Sequence, residues 1–133
     1  MFASTQMMGM NLAFPDVCLT PAPPAPAPVP LPYPNTSMGP TTAPFCPNIL
    51  FVAAPAHNLT HPVVVSLGDT TGAIGGVASG TCMNNTRPMT GAFTVLLSGA
   101  PATRMTTINI QNSTNAPGMR IVPSQPKILI LAP

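Results

Sequence analysis

The sequence predicts an all-β domain built from short strands and turns, and three observations lead to that prediction. Twenty prolines and ten glycines are spread over 133 residues, so they interrupt every window long enough for an α-helix. The apolar runs between them have the length of strands. A strand that ends in an Ala-Pro turn occurs three times. We therefore expect no helix longer than about two turns.

The repeated unit is clearest at residues 95–106, V-L-L-S-G-A-P-A-T-R-M-T, and at residues 49–60, I-L-F-V-A-A-P-A-H-N-L-T. The two stretches are 46 residues apart, and a third, I-L-I-L-A-P at residues 128–133, has the same strand and the same ending. Repetition indicates similar structural units. Three such units predict a body with three similar sides in a pseudo-three-fold arrangement. The identical pairs are Leu50/Leu96, Ala54/Ala100, Pro55/Pro101, Ala56/Ala102 and Thr60/Thr106.

The N-terminal part, residues 1–48, is expected to be an extended, proline-rich arm of the single domain 1–133. Eight prolines fall within residues 21–34, a density that favours a stiff polyproline II segment. Val29, Leu31 and Tyr33 alternate with these prolines and offer an apolar edge. The favoured interpretation is a rigid strap on the domain surface, and the alternative is a ligand for an aromatic-lined groove.

The remaining residues, 49–133, are expected to form the repeat-containing β body. Within it, Ile108 and Ile110 alternate with Asn109 and Gln111, a pattern typical of a half-buried strand. The strands are predicted at residues 49–53, 62–67, 93–98, 105–111 and 128–131.

Charged residues make up only 5% of the chain, against about a quarter in an ordinary soluble domain. A surface with so few charges would tend to associate non-specifically if it were exposed. We therefore expect a partner to cover much of it. A net charge of +2 without a basic cluster argues against nucleic acid. Few titratable groups argue against an enzyme; Asp16 and Asp69 are expected in turns without catalytic partners.

A family resemblance enters at residues 99–104, G-A-P-A-T-R, which resemble the Pro-Ala-Ala-Arg motif of PAAR proteins, with threonine at the third motif position. The wider pattern is similar to the PAAR-like proteins of the DUF4150 type. This resemblance implies a small conical β domain with three pseudo-equivalent sides. Its structural motif residues here are Pro55, Ala56, Pro101, Ala102, Arg104 and Pro133. The other matching segments are F-P-D-V-C at 14–18, P-Y-P-N at 32–35, S-x-G-D at 66–69 and G-G-V-x-S-G at 75–80.

The resemblance also implies a function. Such proteins cap the trimeric β-helical spike, a VgrG-type protein, of a type VI secretion system, and related tips occur in phage tails and other injection machines. The expected role is mechanical: one copy per trimer sharpens the spike, aids membrane puncture and helps deliver an effector. A β-helix ends in unpaired backbone groups, so it needs such a cap. Without a secretory signal in residues 1–10, we expect synthesis in the bacterial cytoplasm and export with the spike.

PAAR proteins bind zinc near the apex through histidines and a cysteine, and the resemblance extends to a structural zinc here. The chain has two histidines and three cysteines without a C-x-x-C pair, which argues against a closed disulfide framework. The candidate ligands are Cys46, His57, His61 and Cys82, because structural zinc takes four nitrogen or sulfur ligands. The alternative is surface histidines and buried free thiols.

Two other function classes are weighed against the spike tip. One is an adaptor that binds a groove through residues 21–34; the other is a small toxin or hydrolase, which the shortage of ionisable groups disfavours. Arg104 is expected to be structural, because its planar guanidinium can bond several backbone carbonyls just past the turn.

Overall fold

The computed structural model describes residues 1–24 and 26–131 and confirms the all-β prediction. One 3-10 turn, Gly39–Thr41, is the only helical element in these residues. The strands are β1 Met10–Thr20, β2 Val29–Met38, β3 Cys46–Phe51, β4 Ala54–Ala56, β5 Gly75–Gly76, β6 Arg87–Pro88, β7 Ala92–Leu97, β8 Ala100–Ala102, β9 Ile108–Gln111 and β10 Ala116–Val122.

The largest sheet has the order β2-β1-β10-β9-β6, with β5 paired to β1. The proline-rich segment was expected to be a rigid strap on the domain surface, but its second half is the edge strand β2, which pairs with β1. Pro30 and Pro32 alternate with Leu31 and Tyr33, whose backbone N–H groups remain for strand pairing. β1 itself pairs with β10 as well as β2. Residues 10–20 and 29–38 thus belong to the main sheet rather than to an arm beside it.

The 46-residue repeat corresponds to two copies of one hairpin, β3–β4 and β7–β8. Leu50 lies opposite Pro55 in the first hairpin, and Leu96 lies opposite Pro101 in the second. Each hairpin turns through two residues with positive φ, residues 52–53 and 98–99. Two-residue turns of this kind match the twist of the strands that they join.

The two ends of the chain form the third side. Phe2 pairs with Leu129, the Ala3 N–H donates to the Ile128 carbonyl at 3.0 Å, and the Ile130 N–H donates to the Met1 carbonyl at 2.7 Å. Met1–Ala3 therefore takes the place of β4 and β8, and residues 128–130 take the place of β3 and β7. The Ala-Pro ending predicted at residues 132–133, including Pro133, lies outside the described residues.

A ring of backbone hydrogen bonds joins the three sides around a pseudo-three-fold axis. The Ser4 N–H donates to the Thr103 carbonyl at 3.0 Å, Thr103 to His57 at 3.4 Å, and His57 to Ser4 at 3.1 Å. Each segment thus bonds to the next, and the third closes on the first. A second ring follows at the neighbouring positions: Gln6 to Pro55, Leu59 to Pro101, and Met105 to Phe2.

Alanine fills the centre of the three-sided body. Ala3, Ala56 and Ala102 occupy equivalent positions and are fully buried, and small side chains allow the three segments to approach each other closely. Leu97 and Ile130 pack around them in one apolar cluster.

The interior beneath the main sheet is polar instead. Strand β9 is half-buried as predicted, but Asn109 and Gln111 face inward, whereas Ile108 is exposed. The strand predicted at residues 62–67 is absent. Val63 makes isolated bridges to Thr42 and to Thr86, and neither bridge extends into a ladder.

Candidate functional site

Three exposed leucines mark the three sides of the body. Leu50, Leu96 and Leu129, the leucine triad, occupy equivalent strand positions and are 58%, 60% and 53% exposed. Their cross-strand partners are Pro55, Pro101 and Phe2. One chain therefore presents three similar apolar surfaces.

The residues of the Pro-Ala-Ala-Arg-like motif hold this body together. Pro55 and Pro101 are half-buried beside the leucine triad, and Ala56 and Ala102 are buried at the axis. The Arg104 guanidinium donates from Nη1 to the Ile130 carbonyl at 3.3 Å. Arg104 therefore links the second side to the third.

The four predicted metal ligands do not converge. Cys46 Sγ lies 4.0 Å from His61 Nε2, but His57 Nε2 is 2.7 Å from Gln6 Oε1 and its ring centroid is 6.4 Å from that of His61. Cys82 lies elsewhere, with its Sγ 3.3 Å from the Asp69 backbone carbonyl. A zinc ion at the histidines would find two ligands close together rather than four, so this residue set does not fit the ion.

A different group brings metal-ligand atoms together. Asp16, Cys18 and Asp69, the acidic–thiol cluster, are fully buried, and their ligand atoms lie within 4.8 Å of one another. Cys18 Sγ is 3.5 Å from Asp16 Oδ1 and 3.8 Å from Asp69 Oδ2. Asp69 Oδ1 is buried without a hydrogen-bond partner among the described residues. These three residues could hold a metal ion.

Burial of so much negative charge perturbs the titration of the cluster. Burial, reinforced by Asp16, raises the pKa of the Cys18 thiol to about 12. Burial also raises the pKa of Asp69, and the Asp16 charge adds to this effect. The Asn35 and Asn115 amides donate to Asp16. The cluster is thus stabilised by amide donors and favours a bound proton or a cation.

Sequence reasoning missed this cluster. Asp16 was expected in a turn, but it lies within β1, and Asp69 reaches it from a loop 53 residues later in the chain. The available signal was that F-P-D-V-C and S-x-G-D are the segments that carry the family resemblance. Both place their acidic residue in this one cluster.

The outer face of β1, β10 and β9 is an apolar groove of about 410 Å³. Ile108, Phe14 and Met119 are exposed along it. In the part of the chain that the structure describes, no helix is long and apolar enough to span a membrane.

Comparison with known protein families supports the resemblance to PAAR proteins. A family model described as the Toxin PAAR-like domain matches residues 9–118, a region that contains the acidic–thiol cluster, both hairpins and Arg104. None of the curated proteins matches the chain, and none of the solved structures does. Because the matched region covers well over half of the sequence, the chain belongs to the Toxin PAAR-like domain family.

Proposed function

We propose that this protein is a structural tip that caps the trimeric VgrG-type β-helical spike of a type VI secretion system. In this role it sharpens the spike for membrane puncture and accompanies or links an effector. The proposed work is mechanical and needs no catalytic group. The observation that carries the proposal is the pseudo-three-fold body, in which one chain supplies three similar sides.

Symmetry favours one copy per spike. A trimer ends in three identical surfaces, and a single chain with three equivalent sides meets all of them at once. The backbone rings at the axis and the leucine triad repeat at each side. A homotrimer of this protein would match the spike as well, but it would leave the internal repeat without a purpose.

The composition favours a contact that is apolar and mediated by the backbone. Only six residues are charged, and both acidic residues and Arg120 are buried. Few ions therefore require desolvation on docking. Strand edges at the end of a β-helix would gain partners in the same contact.

The leucine triad provides a direct test by titration of the spike trimer with purified variants. Each leucine is more than half exposed, so Leu→Ala at one site should weaken binding by about 1 kcal/mol, roughly fivefold in Kd. Substitution of all three should abolish co-purification. The matched control is Ile108→Ala, an exposed apolar residue on the outer face of β9.

Two results would count against this docking surface. Loss of binding in Ile108→Ala with normal binding in the triple leucine variant would move the contact to the outer groove. Dissociation of the complex in about 0.5 M salt, where the screening length is only a few Å, would indicate an ionic contact.

Normal spike binding by a variant with a shortened 21–28 segment, together with loss of a different interaction, would favour the adaptor alternative.

The proposal includes a structural zinc ion held by the three residues of the acidic–thiol cluster. A tetrahedral ion with bonds of about 2.3 Å to sulfur and about 2.1 Å to oxygen separates these atoms by about 3.6 Å. The Cys18 Sγ distances to the two carboxylates, 3.5 and 3.8 Å, are close to that value. Asn35 and Asn115 would orient Asp16 from outside the ligand shell.

Metal content of the purified protein tests this part separately from spike binding. We expect one zinc per chain in the wild type and in Cys46→Ser, and none in Asp69→Asn. Loss of metal should also lower the Tm of Asp69→Asn. Without a metal, this substitution would remove a buried charge beside Asp16 and raise the Tm instead. Metal-free wild type, or metal lost only in Cys46→Ser, would contradict the assignment.

A further inference from the structure

A buried guanidinium lies beneath the main sheet without a countercharge. Arg120 on β10 is 6% exposed, and its Nε donates to Asn11 Oδ1 at 3.1 Å. Its Nη1 has no hydrogen-bond partner among the described residues. Burial lowers the pKa of Arg120 to about 10, with no contribution from a carboxylate, so the side chain is still charged at neutral pH. A buried charge with one such bond is costly unless something else compensates it.

Arg120 lines a cavity of about 20 Å³ together with Thr42 and Thr86. Both threonine hydroxyls are also buried without partners in the described part of the chain. Three of the seven unpartnered buried side-chain atoms found there therefore belong to residues that line one small cavity. Each of the three can donate a hydrogen bond.

The histidines beside the cavity supply no negative charge. Gln6 Nε2 donates to the Pro40 and Thr42 carbonyls, so its Oε1 accepts from His57 Nε2. His61 Nδ1 accepts the Asn58 N–H and therefore carries its proton on Nε2. None of the residues that line the cavity is acidic. The lining thus combines one cation, unsatisfied donors and neutral rings.

The size of the cavity limits its occupant. A water molecule needs about 10–15 Å³ measured in this way, so the cavity has room for one small species and none for a phosphate or sulfate. Water would satisfy the donors but would leave the charge uncompensated. We propose that the cavity is a halide site, in which a chloride-sized anion accepts hydrogen bonds from Arg120 Nη1 and from the hydroxyls of Thr42 and Thr86.

This site is independent of the spike and of the acidic–thiol cluster. It lies where β1 and β10 meet the two axis segments that contain His57 and Thr103. An anion bound there would stabilise the folded chain by mass action, because the unfolded chain has no such cavity. The consequence is a stability that depends on halide concentration.

Thermal unfolding at constant ionic strength tests the proposal. Sodium chloride or bromide replaces the sodium salt of gluconate, an anion too large for the cavity. We expect the Tm of the wild type to rise by several degrees and to saturate with halide. Arg120→Met should lose the response, and Arg104→Met, which removes a guanidinium elsewhere, should keep it.

A second pair of variants guards against misfolding of Arg120→Met. Thr86→Val keeps the side-chain shape and removes one donor, so it should shift the response to higher halide concentration; Thr94→Val, on the exposed face of β7, should not. Crystals grown in bromide should show an anomalous peak beside Arg120 Nη1. Equal halide responses in wild type and Thr86→Val, no response in wild type, or water at this position would overturn the proposal.

Discussion

Two adjacent leucines on β7 test the orientation of the repeat hairpin. Leu97 is 7% exposed and packs in the apolar cluster at the axis, whereas Leu96 is 60% exposed. Alanine at either position removes the same atoms from the same strand. The two substitutions should therefore have very different effects on stability and on spike binding.

The expected magnitudes follow from burial. Leu97→Ala removes about three buried methylene equivalents, about 2.4 kcal/mol at 0.8 kcal/mol each, and the cavity left behind brings the loss to about 3 kcal/mol. Leu96→Ala removes mostly solvated atoms and should lower the free energy of unfolding by less than about 1 kcal/mol. For a domain of this size, Leu97→Ala should lower the Tm by about 10 °C.

Urea unfolding followed by far-ultraviolet circular dichroism is the suitable assay, because the chain has no tryptophan and a single tyrosine. The spike titration supplies the complementary measurement. Leu96→Ala should weaken binding while leaving the m-value and midpoint nearly unchanged. Equal destabilisation by the two variants would refute the assignment of Leu97 to the core and Leu96 to the docking surface.

Three further changes test other parts of the structure. Burial, followed by the Arg120 charge, lowers the pKa of His57 from 6.5 to about 3, so between these values the unfolded chain binds a proton that the folded chain does not. For His57 alone, stability should fall with decreasing pH in this window by up to about 1.4 kcal/mol per unit. Urea titrations of His57→Gln should show a smaller slope than wild type, because His61, whose pKa is also lowered by burial, still contributes. Arg104→Ala should cost about 1–3 kcal/mol in the same assay, because it removes the bond to the Ile130 carbonyl; an unchanged midpoint would indicate a solvated side chain. Gly72→Ala should lower both the Tm and the metal content, because a Cβ at Gly72 would clash with Cys18; normal metal content would count against the cluster as the metal site.

The sequence predicted the repeat and the first strand of each hairpin because their signal is local, but the Ala-Pro turn that it predicted was wrong: Ala54–Ala56 and Ala100–Ala102 are the second strands of the hairpins. Identical residues at Leu50/Leu96 and Pro55/Pro101 occupy the same register positions. The third strand was visible at residues 128–131, but its partner was not. Phe2 forms that pair across nearly the whole chain, and residues 1–5 resemble the other repeats too little to reveal it.

The acidic–thiol cluster and the polar interior were harder to predict for a different reason. Asp16 and Asp69 are distant in sequence, and only the pairing of β1 within the sheet brings them together. Asn109 and Gln111 alternate with isoleucines, and alternation identifies a half-buried strand without identifying its inner face. The polar side faces inward because Asn11 and Arg120 from neighbouring strands form the interior that it meets.

The mass of the purified complex with a trimeric spike protein from the same cell tests the central claim most directly. One copy of this protein adds 13.6 kDa to the mass of the trimer, and we predict that increment, retained at high salt. An increment three times as large would mean that three copies bind and that the internal repeat is not what matches the symmetry of the spike. No increment under any condition would contradict the proposed role as a spike tip.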